Sequence, residues 1–283
     1  MIPLIDTHQH LVYADALPYG WTSGIPVLAG QSFTLEDYKS LTAGHGVERT
    51  LFMEAAVDDE RWAEEAPFIA NIAKQSDSGI AGLIATIRPE SDEGFDAELE
   101  KAGERGIVGF RRILHVVDDA MSQSSTFRTN VRKIGAAGKV FDMCFLARQL
   151  PIARELAKAC DNTTLVLDHC GVPDIAGGGL DPWRADMTAL AELPNVSCKL
   201  SGILAYCNPE AANLESIRPY VDHVLEAFGP DRMVWGSDWP VVNMTSDLPS
   251  WLSITQEILA KLSAQEANAI GSQNASRLYS LDA

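Results

Sequence analysis

Eight short apolar segments recur along the chain, and each has the length and β-branched content of a buried strand. Their starts lie roughly 25–45 residues apart, which is the size of one strand-plus-helix unit. The predicted strands span residues 3–7, 49–54, 80–86, 107–113, 139–146, 163–169, 196–200 and 232–238. Because these segments are continuously apolar, they predict a parallel sheet that is covered on both faces.

Amphipathic patterns fill the gaps between the predicted strands. After the second strand, four apolar residues fall on one helical face: Trp62, Ala66, Ile69 and Ala73. Further helices are predicted at 149–159, at 211–228 with an interruption at Pro219, and near 249–263. Eight strand–helix units close a (β/α)8 barrel, so we predict one α/β TIM-barrel domain over residues 1–283. An open doubly wound sheet is the alternative, but the Gly-rich turn that usually follows its first strand is missing from the sequence.

Polar residues concentrate where the predicted strands end, and catalytic groups of such barrels lie at those carboxyl ends. In chain order these residues are His8 and His10, Glu54, Arg111 and Arg112, Asp168 and His169, Lys199 and Ser201, and Asp238. Scattered surface residues would not collect at these positions. The pattern therefore predicts a polar site at one end of the barrel.

His8 and His10 are two residues apart, so on a strand both side chains point to the same face. Two imidazoles on one face can share a metal ion such as zinc. Taken alone, the pair is also consistent with one histidine that caps a loop and one hydrogen-bonded histidine in the core. His169 is also consistent with a loop histidine that bonds to the backbone. Asp238 also suits a helix N-cap, although Pro240 disfavours helix at Trp239. The common position at strand ends favours a site.

Arg111 and Arg112 interrupt an apolar strand, so one of them must point inward and meet a carboxylate of the protein or of a ligand. Lys199 carries the same two alternatives. His115 lies just past the fourth strand, within reach of the site. Trp21 belongs to a long segment after the first strand, which covers the pocket or simply packs on the barrel.

The net charge changes the range of expected partners. The chain has 22 basic and 39 acidic residues and a formal charge of −17, which repels phosphate backbones and anionic lipids. We therefore expect no nucleic-acid or membrane partner. Five cysteines without C-x-x-C spacing, and a start without a signal sequence, predict a cytoplasmic protein with reduced thiols. No G-x-S-x-G motif is present in the sequence, so nothing indicates an esterase nucleophile.

Several of these segments resemble the amidohydrolase superfamily, and more narrowly its hydrolases of sugar and pyrone lactones. The motifs are HQH at 8–10, GFR at 109–111, LDHCG at 167–171, CKLSG at 198–202 and GSDWPV at 236–241. The resemblance implies a distorted (β/α)8 barrel in which His8 and His10 handle metal or water, with His169 and Asp238 completing the site. Arg111 and Arg112 stand where binuclear members have a bridging Lys, and Asp142 stands where they have a His. This favours one divalent cation, with zinc first and a metal-free site as the alternative.

The resemblance predicts a hydrolase that opens the ring of a sugar-acid lactone, its small-molecule partner. Asp238 and His169 are the expected catalytic residues, and an Asp- or metal-activated water attacks the carbonyl. The expected metal ligands are His8, His10, Asp238 and His169. The expected substrate contacts are Arg111, Arg112, Glu54, Lys199, Trp21 and Trp239. A single-metal decarboxylase, a lactone isomerase and a barrel that only binds a ligand are the alternatives, and a homo-oligomer stays open.

Overall fold

The computed structural model describes residues 1–281 and shows eight parallel strands that are hydrogen-bonded in sequence order. The strands are β1 (Leu4–Gln9), β2 (Val47–Met53), β3 (Ile80–Thr86), β4 (Ile107–Ile113), β5 (Val140–Cys144), β6 (Leu165–Leu167), β7 (Val196–Leu200) and β8 (Met233–Trp235). A helix follows each strand, so the predicted (β/α)8 barrel is confirmed.

The helices that surround the strands are α1 (Leu35–Thr42), α2 (Trp62–Ala73), α3 (Phe95–Glu100), α4 (Ser125–Ala136), α5 (Leu150–Ala159), α6 (Trp183–Ala191), α7 (Leu214–Phe228), α8 (Leu248–Leu259), α9 (Ala264–Asn268) and α10 (Asn274–Leu278). Four of them, α2, α5, α7 and α8, were predicted from the sequence and lie close to the predicted positions. The interruption expected at Pro219 is absent from α7, because buried side chains on both sides of the proline, such as Ile217 and Tyr220, hold the helix on the barrel. Within residues 1–281, no helix combines the length and apolar character that a membrane crossing requires.

Side chains that precede the helices explain where several of them start. Thr34 accepts a hydrogen bond from the backbone N–H of Asp37, and Asp37 accepts one from Thr34, which forms a capping box at α1. The side chains of Asn213 and Asp247 cap α7 and α8, each by accepting a bond from the backbone N–H of the third residue of its helix. These caps end the loops at the carboxyl ends of β1, β7 and β8.

The barrel closes between β8 and β1 through irregular pairing rather than a regular ladder. The backbone N–H of Asp238 donates to the carbonyl oxygen of His8 (2.9 Å), and that of His10 donates to Trp239 (2.9 Å). The hydroxyl of Thr7 donates to the carbonyl oxygen of Trp235 (2.7 Å). The closure therefore places His8 and His10, at the end of β1, directly beside Asp238.

Strands β6 and β8 end earlier than the sequence pattern predicts. The backbone leaves the extended conformation at His169 (φ 54°), Cys170 (φ 52°) and Asp238 (φ 55°), in the left-handed region that non-glycine residues seldom adopt. The apolar pattern continues through these positions because the residues stay buried. The backbone bends there, and the bends direct His169 and Asp238 over the open end of the barrel.

The other end of the barrel is filled by the C-terminal helices, which the sequence pattern beyond residue 263 did not predict. Ala275 and Tyr279 pack with apolar side chains of the strands, among them Ile5, Leu51 and Val234. The hydroxyl of Tyr279 reaches both carboxylate oxygens of Asp142, at 3.0 and 3.1 Å. The barrel is therefore closed at this end and open at the end that carries the polar residues.

Candidate active site

A cavity of about 430 Å³ opens at the carboxyl ends of the strands. Seven of its lining side chains carry a polar or reactive group: His10, Arg111, His115, Cys144, His169, Tyr206 and Asp238. Trp21, from the long loop after β1, forms part of the apolar wall. The volume is within the range of pockets that enclose small organic ligands.

His8 and His10 face Asp238 from neighbouring positions at the end of β1. The distance from Asp238 Oδ1 is 3.4 Å to Nε2 of His10 and 3.7 Å to Nε2 of His8. Nδ1 of His10 is 3.1 Å from the carbonyl oxygen of Met53, which only accepts, so Nδ1 carries the proton and Nε2 presents a lone pair. A hydrogen bond from one ring nitrogen to a carbonyl oxygen, which leaves the other nitrogen to face the ion, is typical of metal-binding histidines.

His169 approaches the same carboxylate from β6. Its Nδ1 lies 2.9 Å from the hydroxyl of Ser201 and 3.8 Å from Oδ2 of Asp238. Gly202 (φ +61°) leaves the room for this approach, since a Cβ there would lie 2.5 Å from both Asp238 Oδ2 and His169 Nδ1. The structure thus brings together His8, His10, His169 and Asp238, which are spread over more than two hundred positions of the sequence.

Oδ2 of Asp238 is buried and has no hydrogen-bond partner among residues 1–281. A buried carboxylate oxygen without a partner is costly, so this atom is suited to receive a cation or the proton of a substrate water. The ligand atoms of His8, His10 and Asp238 lie within 4.8 Å of one another, as do those of His8, Asp168 and His169. Burial lowers the pKa of His8 well below its usual range and also lowers the pKa of His169, which keeps both rings neutral, as metal ligands must be. The donor set therefore fits a divalent ion.

Arg111 is the member of the arginine pair that points inward. Its Nε donates to Glu54 Oε1 (2.7 Å) and its Nη2 to the carbonyl oxygen of Glu54 (2.8 Å). Its Nη1 is 3.1 Å from Nε2 of His8 and 3.4 Å from Oδ2 of Asp168. Burial alone would lower the pKa of Arg111, but the charge of Glu54 outweighs it and raises that pKa, so the guanidinium stays charged. An ion bound to Nε2 of His8 would have to displace Arg111 from that nitrogen.

Lys199 lies beneath the cavity and has no exposed surface, so the expected direct contact with substrate is not supported by its position. Its ammonium forms an ion pair with Asp142 and lies 3.1 Å from Oδ1 of Asp168. It also donates to the carbonyl oxygen of Thr7 (3.1 Å). Burial lowers the pKa of Lys199, but Asp142 and Asp168 outweigh this and raise it. The lysine is therefore a charged support under His8.

Two other expected substrate contacts also lie away from the cavity. Arg112 donates to Glu90 (3.0 Å) and, with Glu54, lines a neighbouring cavity of about 540 Å³. Trp239 is 1% exposed and packs edge-on against Phe33 and Tyr38. Strand alternation shows which face a side chain takes, but it does not show how deep in the barrel the side chain lies.

Tyr206 is a lining residue that the sequence analysis missed. It belongs to a short turn after β7, and its ring centroid is 6.3 Å from that of His169. Its hydroxyl makes no hydrogen bond within residues 1–281, so it is free to meet a ligand. The turn has no hydrophobic periodicity, and the only signal in the sequence was its closeness to the CKLSG motif.

Comparison with known proteins places this geometry among related enzymes. A model of the amidohydrolase family matches residues 5–281. The chain is 27% identical to an L-fucono-1,5-lactonase of Burkholderia ambifaria and 30% identical to one of Burkholderia multivorans, in each case over 98% of this chain and 96% of the relative. A crystal structure of an amidohydrolase from Burkholderia multivorans with bound zinc superposes with a TM-score of 0.89 at 28% identity, covering 99% of this chain and 100% of that one.

Proposed function

The chain belongs to the amidohydrolase family, and on that premise we propose that it hydrolyses the ring ester of a sugar-acid lactone of the L-fucono-1,5-lactone type. The observation that carries the proposal is that His10, His169 and Asp238 line one cavity, with His8 buried 3.7 Å from Asp238. The names of both Burkholderia relatives support hydrolysis over decarboxylation or isomerisation.

His8, His10 and Asp238 are the residues that would hold a divalent ion, which we propose to be zinc. The donor set of two imidazoles and one carboxylate suits that ion, and a structural relative contains it. When bound, the ion supplies Lewis acidity to the carbonyl and makes a nearby water more acidic. The proton transfers themselves belong to side chains of the protein.

Asp238 takes the proton of the attacking water on Oδ2, the carboxylate oxygen that no described residue hydrogen-bonds. The oxygen of that water bonds to the lactone carbonyl carbon, and the ring C–O bond then breaks. Asp238 returns the proton to the ring oxygen as it leaves. The product is the open hydroxy acid, and Asp238 ends the cycle ionised.

His169 and Arg111 stabilise the negative charge that develops on the carbonyl oxygen. If the hydroxyl of Ser201 donates to Nδ1 of His169, the ring proton is on Nε2, where it is available to the substrate. Arg111 is fixed by Glu54 and adds a permanent positive charge at the cavity floor. The face of Trp21, whose Nε1 donates to the carbonyl oxygen of Ala55, suits the apolar face of a sugar ring.

A pH-indicator assay with L-fucono-1,5-lactone tests the proposal, since ring opening releases an acid. We expect turnover by the wild-type enzyme and a loss of at least about 100-fold for Asp238→Asn, because a single group that transfers protons contributes about that much or more. Asp222→Asn, which changes an exposed carboxyl on α7, is the matched control. Acid release by Asp238→Asn at the wild-type rate would exclude Asp238 as the base, and carbon dioxide release from carboxylated substrates would indicate a decarboxylase instead.

A further inference from the structure

A cysteine and a histidine meet on the cavity wall, and the proposed hydrolysis uses neither. Cys144 is the last residue of β5, and His115 lies two residues beyond β4. Sγ of Cys144 is 3.3 Å from Nδ1 of His115, and both residues line the cavity. In the strand order of this barrel, β4 and β5 lie across from the junction of β8 and β1 that carries Asp238.

The thiol is the donor in this contact. Burial raises the pKa of Cys144, so the sulfur keeps its proton at neutral pH. Burial is the largest cause that lowers the pKa of His115 to about 4, and the positive charge of Arg111 is the next. His169 also lowers this pKa, whereas Asp168 and Glu54 raise it. A neutral ring offers one lone pair, and an sp² nitrogen accepts a hydrogen bond much better than sulfur does. The contact is therefore S–H to Nδ1.

This contact decides where the single ring proton of His115 lies. With Nδ1 accepting from the thiol, the proton is on Nε2. Nε2 makes no hydrogen bond to any of residues 1–281. The wall opposite Asp238 thus carries an N–H donor that is oriented in advance and has no partner among the residues that the structure describes.

We propose that His115 is a specificity-determining residue whose Nε2–H donates to a ring or hydroxyl oxygen of the substrate, and that Cys144 is a positioning residue that fixes this tautomer. The inference rests on the proposed lactone hydrolysis. Because Asp238 acts on the carbonyl from the opposite wall, His115 meets the far side of the ring. A ring without an oxygen there would leave the N–H unpaired, so the pair favours hydroxylated lactones.

Nitrogen-15 NMR of the histidine rings tests the tautomer without any turnover. The chain has six histidines, and His115→Gln identifies the signal by its loss. We expect the Nε2–H tautomer of His115 from pH 5.5 to pH 8, unchanged in Cys144→Ser, whose hydroxyl can also donate, and mixed with the Nδ1–H form in Cys144→Ala. An Nδ1–H or a charged ring in the wild-type protein at pH 7 would overturn the proposal.

Steady-state kinetics tests the contact with substrate. We expect His115→Leu to raise KM about 10-fold while kcat changes less than about two-fold, since one hydrogen bond of about 1.4 kcal/mol corresponds to a factor of ten. His115→Gln, which keeps an N–H near Nε2, and Cys144→Ser should stay within about three-fold of the wild type. Cys160→Ala, a buried cysteine outside the cavity, is the matched control.

Equal KM values for the Leu and Gln variants of His115 would overturn the proposed contact with substrate. If the Leu variant does not fold, the KM of Cys144→Ala is compared with that of Cys144→Ser instead, and equal values would overturn the proposal in the same way. A wild-type enzyme that turns over no lactone would overturn the proposed function instead. The NMR measurement on the same protein then still decides whether Cys144 fixes the ring of His115.

Discussion

At the scale of single residues, Gly202 has no room for a side chain between Asp238 and His169. A Cβ there would lie 2.5 Å from atoms of both Asp238 and His169, at a φ of +61° that other residues rarely adopt. We expect Gly202→Ala to displace both side chains and to lower kcat/KM about 100-fold, the usual cost of a shift of about 1 Å in a catalytic group.

Kinetics and thermal unfolding check this prediction together. Gly103→Ala is the matched control, because a Cβ at Gly103 meets no atom within 4 Å and the residue is exposed. An alanine at position 202 that keeps full activity would mean that the site tolerates a displaced Asp238.

Lys199 provides a second prediction at this scale. It balances Asp142 and Asp168 in a space that solvent does not reach. Lys199→Met leaves the buried Asp142 without a counter-charge and Asp168 with Arg111 alone, so we expect the free energy of unfolding to fall by about 3–5 kcal/mol. Denaturant titration measures it, and the double variant Lys199→Met/Asp142→Asn should recover part of the loss. Independent, additive effects of the two substitutions would contradict a shared network.

The sequence was informative about some of these residues and silent about others. His8, His10, His169 and Asp238 were predictable because each follows an apolar strand, and barrels of this class place such residues at one end. Lys199, Arg112 and Trp239 were expected to contact the substrate. Strand periodicity shows which face of the strand a side chain takes but not how deep in the barrel it lies. The individual roles in catalysis and binding stay predictions.

At the scale of elements, a buried carboxyl group on α2 is hydrogen-bonded to the backbone just beyond β2. Oε1 of Glu65 accepts a hydrogen bond from the backbone N–H of Ala55 (2.9 Å), just beyond β2. Burial, and next the charge of Glu54, raise the pKa of Glu65 well above its usual value of 4.5. Folding therefore favours the protonated acid, and wild-type stability declines as the pH rises above the unfolded pKa of 4.5 toward the folded one.

Glu65→Gln should remove this decline, because the amide oxygen keeps the bond to Ala55 and carries no charge. We expect a higher thermal midpoint than wild type at pH 8 and no gain at or below pH 4.5, followed by calorimetry. Glu64→Gln, a neighbouring exposed glutamate that pairs with Arg61, is the matched control. A constant difference between Glu65→Gln and wild type at all pH values would show that the acid is ionised in the folded state.

Element boundaries followed the hydrophobic pattern except where the backbone turns while still buried. The strands ending near His169 and Asp238 were predicted too long, because burial continues after the extended conformation stops. Pro219 was expected to interrupt α7, but packing on both sides of it decided the outcome. Both differences arise from tertiary packing, which a local pattern does not contain.

At the scale of the whole molecule, β1 and the segment after β8 meet at the proposed metal ligands, so an ion bound there would join the two ends of the barrel. We expect zinc at 100 times its Kd to stabilise the fold by about 2.7 kcal/mol and a chelator to reverse this. His10→Ala should abolish the effect, whereas His45→Ala, away from the cavity, should not. Calorimetry with and without the ion measures the effect. Wild-type thermal midpoints that are equal with and without zinc would contradict the ligand assignment.

The architecture as a whole was predictable because eight apolar segments at regular spacing have few arrangements that bury them all. The closure of the far end by α9 and α10 was not, since these short helices have little periodicity of their own. The expected cytoplasmic location, the absence of nucleic-acid partners and the oligomeric state stay predictions.

The reach of Tyr279 to Asp142 has a consequence for the order in which the site is assembled during translation. Asp142 pairs with Lys199, whose Nζ lies 3.3 Å from Nδ1 of His8, so the support of the site includes a residue that follows all eight strands in sequence. A nascent chain that already holds all eight strands still lacks the hydroxyl of Tyr279. In that chain Asp142 has Lys199 as a partner but not the bonds from Tyr279, so the support of His8 is still incomplete.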